Sequence, residues 1–379
     1  ITMLKGAMRQ LRVGNPFLLK TDIGPVIDLE AQNNIQKHID QMRAKGHPVD
    51  QFMFNPEHDS SLAEGTFIPP TLIELPNLND LQREVFGPVL HVIRYKYGQL
   101  EQLLQHINAK GYGLTMGLHT RIDETIQTVI AHAEVGNLYI NRNIVGAVVG
   151  VQPFGGEGLS GTGPKAGGPI YLYRLMQSCS AKKLAIPFAT QATKTQPVHQ
   201  PLYEIFYTWA EKNFPQYKLS PSPAFCSGHH YELQGPTGES NQYVVLPRKR
   251  VLSLADQEQD QIQQLCAIFA VGSQPTVLAE NTFVLKYLQK MPKEIANSFS
   301  IIQNIETDQF DAVLHHGTKV ELQKLQSKIA ARKGAIIGVT HLEPLSHDIP
   351  LERLVIERAI SINTAAAGGN ASLMTLTQS

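Results

Sequence analysis

The sequence predicts an α/β protein with two domains, and three observations lead to this fold class. Several stretches repeat apolar residues at helical spacing, short apolar runs typical of strands lie between them, and the composition changes near residue 184. Strands that alternate with helices of this length indicate a parallel or mixed sheet covered by helices. A chain of 379 residues is long enough to fold as two domains, or as one large domain with additions.

The first half alternates three predicted helices with two predicted strands. A glycine follows each helix, as is typical of a helix end; the segments are 29–42 before Gly46, 100–107 before Gly111 and 122–133 before Gly136. The runs 89–95 and 138–141 are rich in the apolar and aromatic residues that strands favour. We therefore predict an α/β layer for this half.

The second half begins with residues 184–245, which are rich in Pro, Ser, Thr and Gln and are predicted as linker or irregular surface. Five buried strands are predicted after it, at 248–255, 275–280, 299–305, 311–316 and 335–340. Apolar stripes at 262–269 and 322–329 predict helices between them. This alternation is typical of a Rossmann-like unit. His315 and His316 end the fourth strand and are predicted at the surface.

Composition excludes several classes of protein. Lys+Arg and Asp+Glu both number 33, so a net charge of zero argues against a nucleic-acid or anionic-membrane surface. The longest apolar run, 144–151, is too short to span a bilayer. Cys179, Cys226 and Cys266 are too few and too scattered for a disulfide framework, so we expect a cytoplasmic protein. Because the sequence opens inside a helical pattern without Met, we expect a piece of a longer protein.

The stretch GEGLSG, Gly156 to Gly161, fits the pattern G-x-G-x-x-G of dinucleotide-binding loops. Such a site also needs a helix that opens at the third glycine and an acidic residue about 20 residues further on. TGPKAGGP follows Gly161 instead, and its prolines and glycines disfavour a helix. The later segment MQSCSAKK has no carboxylate. We therefore predict a glycine-rich loop that does not bind phosphate.

Two longer segments resemble a known family. REVFGPVLHVIRY (83–95) and NLYINRNIVGAVVGVQPFGGEGLSGTGPKAGGP (137–169) resemble the second half of the aldehyde dehydrogenase catalytic domain, as do TDIGPVID (21–28) and GTFIPPTLIEL (65–75). Their details are similar to the branch that oxidises glutamate γ-semialdehyde, found in the bifunctional proline utilization A proteins. The tail LVIERAISINTAAAGGNASLM (354–374) resembles the C-terminal motif of the longer members.

The resemblance implies three parts of the chain. Residues 1–183 resemble the C-terminal half of an aldehyde dehydrogenase catalytic domain. Residues 184–345 then correspond to a Rossmann-like, aldehyde dehydrogenase-type C-terminal domain without a nucleotide fingerprint. Residues 346–379 correspond to a motif that covers the tunnel between two active sites.

The resemblance also assigns roles to five residues. Glu84 and Phe86 match positions that contact NAD, where the carboxylate accepts hydrogen bonds from the ribose and the ring packs against the nicotinamide. Gly146 and Ala147 match a loop whose backbone N–H groups anchor the α-carboxylate and amine of the substrate. Phe154 matches an aromatic residue along the aliphatic part of the substrate. Taken alone, Glu84 is a solvated residue, both Phe residues belong to a core, and 144–151 is a buried strand.

No catalytic residue is expected in this chain. In this family a cysteine thiolate attacks the aldehyde, hydride passes to NAD⁺, and water hydrolyses the thioester. The family pattern places that cysteine just before the first helix of this chain, and none of the three cysteines has the family context. Cys266 lies on an apolar helical stripe and is predicted to be a buried small hydrophobic residue.

The resemblance implies cofactors and partners for the longer parent protein. These are NAD at the aldehyde dehydrogenase site and FAD in a proline dehydrogenase domain that this chain does not contain. The expected partners are a small-molecule substrate, the missing N-terminal part of the same polypeptide, and further copies in a homo-oligomer, with no nucleic acid contact. Peripheral association of the parent with the inner membrane stays open.

Two other interpretations also stay open. In one, the chain is a non-catalytic module for assembly and tunnel sealing, since VLSLADQEQD follows the first strand of the second unit without a glycine fingerprint. In the other, CSGHH (226–230) offers zinc ligands, but a fourth ligand at the usual spacing is not evident, so no metal is predicted.

GLSGT misses the G-x-S-x-G pattern of hydrolases by one position. SIN (361–363) echoes YIN (139–141), as an internal duplication would.

Overall fold

The computed structural model describes residues 1–52, 62, 65–176, 201–217, 219, 227–228 and 230–365. The chain forms two compact units, Ile1–Lys110 and Gly111–Ser379, and each is described by itself. None of the helices in the described ranges has the length and apolar character that a membrane span requires.

The first unit combines helices with a three-stranded sheet. Its elements are α1 Thr2–Met8, α2 Leu29–Ala44, β1 Val49–Gln51, β2 Thr71–Leu75, a 3-10 turn Leu78–Asp80, β3 Val89–Ile93 and α3 Leu100–Asn108. The strand order is β1-β2-β3, with β1 antiparallel and β3 parallel to β2. Helix α2 buries Ile35, Ile39 and Met42 against β2, which makes it the core-forming helix of this unit.

The second unit contains the remaining elements. The first group is β4 Tyr112–Gly113, β5 Thr115–Leu118, α4 Asp123–His132, β6 Asn137–Ile140, β7 Glu157–Gly158, α5 Tyr171–Leu175, α6 Pro201–Asn213, β8 His230–Leu233 and β9 Glu239–Pro247. The second group is β10 Arg250–Ala255, α7 Glu258–Val271, β11 Gln274–Leu278, α8 Thr282–Leu288, α9 Lys293–Ala296, β12 Ser300–Ile302, β13 Ala312–His316, α10 Lys319–Ala330, β14 Gly338–Leu342, a 3-10 turn Leu351–Arg353 and β15 Val355–Asn363.

The second of these groups forms a parallel sheet with the order β12-β11-β10-β13-β14. Numbered from β10 in chain order, this order is 3-2-1-4-5, which matches the first five positions of the Rossmann order 3-2-1-4-5-6, and the predicted Rossmann-like unit is confirmed. Helix α7 ends at Gly272, whose φ of +84° suits glycine. β14 begins three residues later than the predicted strand 335–340, and Ile336 is 79% exposed.

A mixed sheet with the order β5-β6-β15-β9-β8 joins distant parts of the sequence. β15 lies in its centre, parallel to β6 and antiparallel to β9. The tail that resembles the C-terminal motif therefore begins as a central strand of the sheet that contains β6. Residues 366–379 of that tail lie outside the described residues.

The prediction of linker or irregular surface for 184–245 is wrong for α6, β8 and β9. Proline and serine runs dominate the composition of this stretch, but Phe206, Trp209 and Ala210 of α6 form one apolar face and pack against α7. β9 is a long strand whose Tyr243 and Val245 belong to the core. Residues 184–200 lie outside the described part of the chain.

The surface position predicted for His315 and His316 is also wrong. Both are buried, because β13 is an inner strand of the parallel sheet. His315 Nδ1 lies 3.1 Å from His341 Nδ1. His316 Nδ1 lies 2.8 Å from Gln264 Nε2, and its Nε2 lies 3.0 Å from the carbonyl oxygen of Ser346. Polar neighbours thus satisfy ring nitrogens of both histidines, which the sequence pattern had predicted at the surface.

Candidate functional site

The segment before β3 is held against the core of the first unit. Val85 packs on the apolar cluster of α2 and β2. A Cβ added to Gly87 would lie 2.5 Å from Ile35 Cδ1, so this backbone passes directly over α2. The carbonyl oxygen of Pro88 accepts a hydrogen bond from Thr71 N–H at 2.9 Å. The chain on either side of Val85 therefore has a defined path.

Glu84 and Phe86 flank the inward-facing Val85 and are exposed. The ring of Phe86 is 87% exposed, so the interpretation of this residue as part of a core is wrong. Among the described residues, no hydrogen bond or ion pair occupies the Glu84 carboxylate. A free carboxylate and a free aromatic face thus lie two positions apart on one extended segment, where both are available to a ligand.

A cavity of about 370 Å³ adjoins this segment in the first unit. It is lined by Asn34, Lys37, His38, Gln41, Met42, Lys45, Asp80, Gln82 and Arg83. Lys45 Nζ lies 3.2 Å from Asp80 Oδ1, which balances one of the three cationic side chains. The remaining positive charge suits a polar or anionic ligand.

His38, on α2, contacts His91, on β3, with 2.8 Å between the two Nε2 atoms. Burial lowers the pKa of His91 to about 4, with a smaller contribution from His38. Burial also lowers the pKa of His38, as do the charges of Arg83 and Lys45. Both rings are therefore neutral at pH 7, and one imidazole N–H donates to the other ring.

In the second unit, GEGLSG forms a tight turn. β7 lies within it and pairs antiparallel with β4. Gly158 has a φ of +61°, and a Cβ on it would lie 2.3 Å from the carbonyl oxygen of Gly111. The next helix, α5, begins only at Tyr171, which confirms the prediction that no helix opens at Gly161. The glycines of this motif serve close backbone packing.

Loop 143–150 connects β6 with the glycine-rich segment, residues 151–168. Side chains accept hydrogen bonds from two of the backbone amides of this loop. Val145 N–H donates to Asn143 Oδ1 at 3.3 Å. Val148 N–H donates to Gln152 Oε1 at 3.0 Å, and the carbonyl oxygen of Val148 accepts from Gln152 N–H at 2.9 Å. These bonds give the loop a defined backbone path at both ends.

The two amides between these points belong to Gly146 and Ala147. Their N–H groups have no acceptor among the residues that the structure describes. A Cβ on Gly146 would meet no atom within 4 Å, so a ligand can approach the backbone there. The interpretation of 144–151 as a buried strand is wrong, since Val145 and Val149 are more than nine-tenths exposed. Two adjacent free N–H groups can bind an anion.

Phe154 is half-buried beside this loop. Its N–H donates to the carbonyl oxygen of Ala166 at 3.0 Å, and Ala166 N–H donates back to the carbonyl oxygen of Phe154 at 2.8 Å. This bridge closes the glycine-rich segment and fixes the backbone from which the ring projects. Part of the ring stays accessible to an apolar group.

A buried polar network that sequence reasoning missed supports the glycine-rich segment. Lys165 is 2% exposed, and its Nζ donates to Asn137 Oδ1 at 3.0 Å and to the carbonyl oxygen of Gly155 at 2.5 Å. Its backbone N–H donates to Glu357 Oε2 at 2.9 Å, and Tyr243 OH donates to Glu357 Oε1 at 2.6 Å. Burial lowers the pKa of Lys165 to about 8 and raises the pKa of Glu357.

A second link joins the same segment to β15. Arg358 Nε and Nη2 contact the two carboxylate oxygens of Glu157 at 2.5 and 3.0 Å. The two side chains are only 14% and 13% exposed. This two-point ion pair gives Glu157, the glutamate of GEGLSG, a structural role, because it holds the turn to β15.

Cys266 is buried in the apolar contact between α6 and α7, as predicted. Burial raises the pKa of its thiol to about 12, which makes it a poor nucleophile. Cys179, Cys226 and His229 lie outside the described residues. Within the described ranges, no cluster of three or more His, Cys, Asp or Glu side chains is arranged to hold a metal ion.

Known proteins are similar to nearly the whole chain. The Aldehyde dehydrogenase family matches residues 1–180. This part of the chain is similar to that family. Beyond the aldehyde dehydrogenase segment, similarity extends over nearly the whole chain. It is 50% identical over 99% of its length to the Bifunctional protein PutA of Escherichia coli (strain K12), of which it covers 29%.

Other relatives agree with this result. The chain is 42% identical over 95% of its length to the Bifunctional protein PutA of Rhizobium meliloti, again covering 29% of that protein. The aldehyde dehydrogenase part is 39% identical to the 1-pyrroline-5-carboxylate dehydrogenase of Geobacillus sp. (strain WCH70), over 46% of this chain and 33% of that protein. The chain thus spans about 29% of the length of the PutA proteins it matches.

A solved structure supports the fold. Proline Utilization A from Corynebacterium freiburgense superimposes with a TM-score of 0.59 at 20% identity, covering 97% of this chain and 34% of that one. At this identity the likeness concerns the fold alone. The α/β fold with an aldehyde dehydrogenase segment and a Rossmann-like unit is therefore confirmed.

Proposed function

We propose that the chain is the C-terminal part of a bifunctional proline utilization A protein. The complete polypeptide would oxidise L-glutamate γ-semialdehyde to glutamate with NAD⁺, and would oxidise proline with FAD in a domain outside this chain. Support comes from the similarity to PutA proteins over 99% of the chain and from the match to a 1-pyrroline-5-carboxylate dehydrogenase. The observation that carries the proposal is the pair of open amides at Gly146 and Ala147.

The second unit would bind the end of the substrate that does not react. The N–H groups of Gly146 and Ala147 donate to its α-carboxylate, and the absence of a side chain at Gly146 allows that approach. The accessible part of Phe154 packs against the methylene groups. Held at this end, the substrate presents its aldehyde carbon at a defined distance from loop 143–150.

NAD is the cofactor that this function requires, and residues of the first unit fit it. The exposed Glu84 carboxylate has free oxygens for two ribose hydroxyls, and the exposed face of Phe86 suits the nicotinamide ring. NAD⁺, when bound, accepts the hydride from the substrate. The nucleophilic cysteine would lie outside this chain: burial raises the pKa of the Cys266 thiol, and Cys179 and Cys226 lack the sequence context that the family pattern requires.

The same assignment extends to organisation and location. We propose residues 1–183, 184–345 and 346–379 as the three parts of the chain. The parent would be a homo-oligomer in the cytoplasm. Its partners would be the small-molecule substrate and the N-terminal part of the same polypeptide.

The first test is NADH formation from the semialdehyde. The complete polypeptide should produce NADH and this chain alone should not, because the nucleophile is outside it. In the complete polypeptide, Gly146→Ala should raise KM about 10-fold with little change in kcat, since it obstructs binding away from the reacting carbon. Gly338→Ala is the matched control, because an added Cβ meets no atom within 4 Å there either. Equal kinetics for the two variants would refute the role of Gly146.

A second candidate function, tunnel sealing and assembly, is favoured by the position of β15. This strand is central in the mixed sheet, so removal of 354–379 would destroy the sheet along with any seal. A truncation after Ala365 keeps β15 and is the sharper test. In the complete polypeptide it should delay conversion of proline to glutamate while leaving both half-reactions intact. Unchanged coupled kinetics would count against the sealing function.

A further inference from the structure

Gln152 connects loop 143–150 to the mixed sheet. It is 3% exposed, and it binds Val148 through two different groups. Its side-chain Oε1 accepts from Val148 N–H at 3.0 Å, and its backbone N–H donates to the carbonyl oxygen of Val148 at 2.9 Å. Because Val148 directly follows Ala147, these bonds fix the peptide plane next to the two open amides.

The other end of the carboxamide determines its orientation. Nε2 donates to Asn241 Oδ1 at 3.1 Å and to Ser361 Oγ at 3.1 Å, and it lies 3.4 Å from Glu239 Oε2. A carboxylate oxygen can only accept hydrogen bonds, so the nitrogen of the carboxamide must face Glu239. Oε1 must then face Val148. The acceptors on β9 and β15 thus select the orientation that holds the loop.

These acceptors are themselves held in place. Arg142 Nη1 donates to Glu239 Oε1 at 2.8 Å and to Ser361 Oγ at 2.9 Å. Both Arg142 and Glu239 are less than one-fifth exposed. The charge-assisted pair of Arg142 and Glu239 therefore supports Gln152. Glu239 and Ser361 lie on strands more than 80 residues from Gln152 in sequence.

We propose that Gln152 is a positioning residue for the substrate site, and that it sets the direction of the Gly146 and Ala147 N–H groups. This rests on the function proposed above. Gln152 does not touch the substrate. It acts through Val148, and Ser361 on β15 acts through Gln152. The specificity of the site for an aldehyde with a carboxylate end would then depend on this one carboxamide.

The test uses the complete polypeptide with Gln152→Ala and Gln152→Glu. The Glu variant keeps an acceptor for Val148 but places a carboxylate against Glu239. Either change should raise KM for glutamate γ-semialdehyde about 10-fold or more and leave kcat within about twofold. For propanal, which has no carboxylate to anchor, kcat/KM should not change. Gln127→Ala, an exposed glutamine on α4, is the matched control and should match the unsubstituted protein.

A swap of the two groups provides a rescue. Gln152→Glu combined with Glu239→Gln restores one carboxylate and one carboxamide in contact, and should recover at least part of the KM. Far-UV circular dichroism of the complete polypeptide during urea unfolding checks that each variant is folded. If Gln152→Ala does not fold, Ser361→Ala replaces it, with an expected rise in KM of about threefold.

The outcomes separate the two proposals. If the unsubstituted polypeptide makes no NADH from the semialdehyde, the proposed function fails. If it does, but Gln152→Ala leaves KM unchanged, Gln152 has no positioning role. A loss of the same size for propanal and for the semialdehyde would mean that Gln152 only supports the fold, and would also overturn the inference.

Discussion

Replacement of Tyr243 by Phe removes the buried hydrogen bond that its hydroxyl makes between β9 and β15. Tyr243 is fully buried, and its hydroxyl donates to Glu357 Oε1 at 2.6 Å. The substitution deletes one oxygen and leaves the ring in its cluster. The other carboxylate oxygen, Oε2, keeps its bond from Lys165 N–H at 2.9 Å. The measured effect should therefore report on the contact between the Tyr243 hydroxyl and Glu357.

A hydrogen bond to an ionised group contributes about 1.5–3 kcal/mol, and water cannot easily replace it because Glu357 is 7% exposed. We expect the free energy of unfolding to fall by about 2 kcal/mol. Burial raises the pKa of Glu357 above its ordinary value of 4.5. This carboxyl therefore disfavours folding above its folded-state pKa, and loss of the Tyr243 bond adds to that cost. The destabilisation should be largest at pH 8 and should shrink as the pH falls toward the pKa.

Urea unfolding followed by fluorescence measures this change. Trp209 is the single tryptophan of the sequence and packs among aromatic residues of the same unit. Tyr139→Phe is the control: Tyr139 is 1% exposed, and its hydroxyl has no well-aligned hydrogen bond among the described residues. Its loss should cost less than about 0.5 kcal/mol. Equal losses for the two variants, or a Tyr243→Phe loss that does not vary with pH, would refute the reasoning.

The remaining predictions concern one pair in each unit. The pKa values of His38 and His91 lie below 6.5 in the folded protein, so the unfolded state takes up protons first. The free energy of unfolding of the first unit should therefore fall by about 1–2 kcal/mol as the pH falls from 6.5 toward 4, after allowance for solvent exposure. An NMR titration that gives His91 a pKa near 6.5 would contradict this. Arg358→Met leaves Glu157 largely buried and unpaired and should cost about 3 kcal/mol in urea unfolding. Glu157→Gln in the same chain should recover at least half, and a cost below about 1 kcal/mol would show that water replaces the arginine.

Local sequence patterns predicted the strands of the Rossmann-like unit and its two longer helices, α7 and α10, because each of these has its own apolar pattern; the short helices α8 and α9 were not predicted. They failed for α6 because its apolar face lies next to proline-rich stretches and becomes visible only at the residue level. Phe206 and Trp209 at helical spacing were the available signal. β9 was missed for a similar reason, because its apolar run lies within residues 184–245, which were assigned as linker or irregular surface from their overall composition.

The residues of the candidate site could be named from the resemblance, but their geometry could not. Whether the amides of Gly146 and Ala147 are open depends on Gln152, and the orientation of Gln152 depends on Ser361, which is 209 residues away. Sequence reasoning predicts that Gln, Lys, Glu and His side chains are exposed to solvent unless a buried partner is known. That default failed for Gln152, Lys165 and Glu357, and for His315 and His316, because their partners come from distant strands.

The echo between SIN at 361–363 and YIN at 139–141 has a structural basis. The two segments lie side by side in β15 and β6, with Ser361 opposite Tyr139 and Ile362 opposite Ile140. Asn363 Nδ2 donates to the carbonyl oxygen of Asn141, whose φ of +56° suits asparagine. The two segments thus share one environment at the same edge of the sheet, which gives a structural reason for the echo besides duplication.

The register of β15 has a consequence for the candidate site. Glu357 and Ser361 point to the same face of β15, four residues apart, and Arg358 points to the other face. Through these side chains the strand holds Lys165, Gln152 and Glu157. A shift of two residues along β6 would break all three links at once, since each depends on one hydrogen-bonded partner. Loop 143–150 and the glycine-rich segment can therefore reach this geometry only when β15 is paired in register.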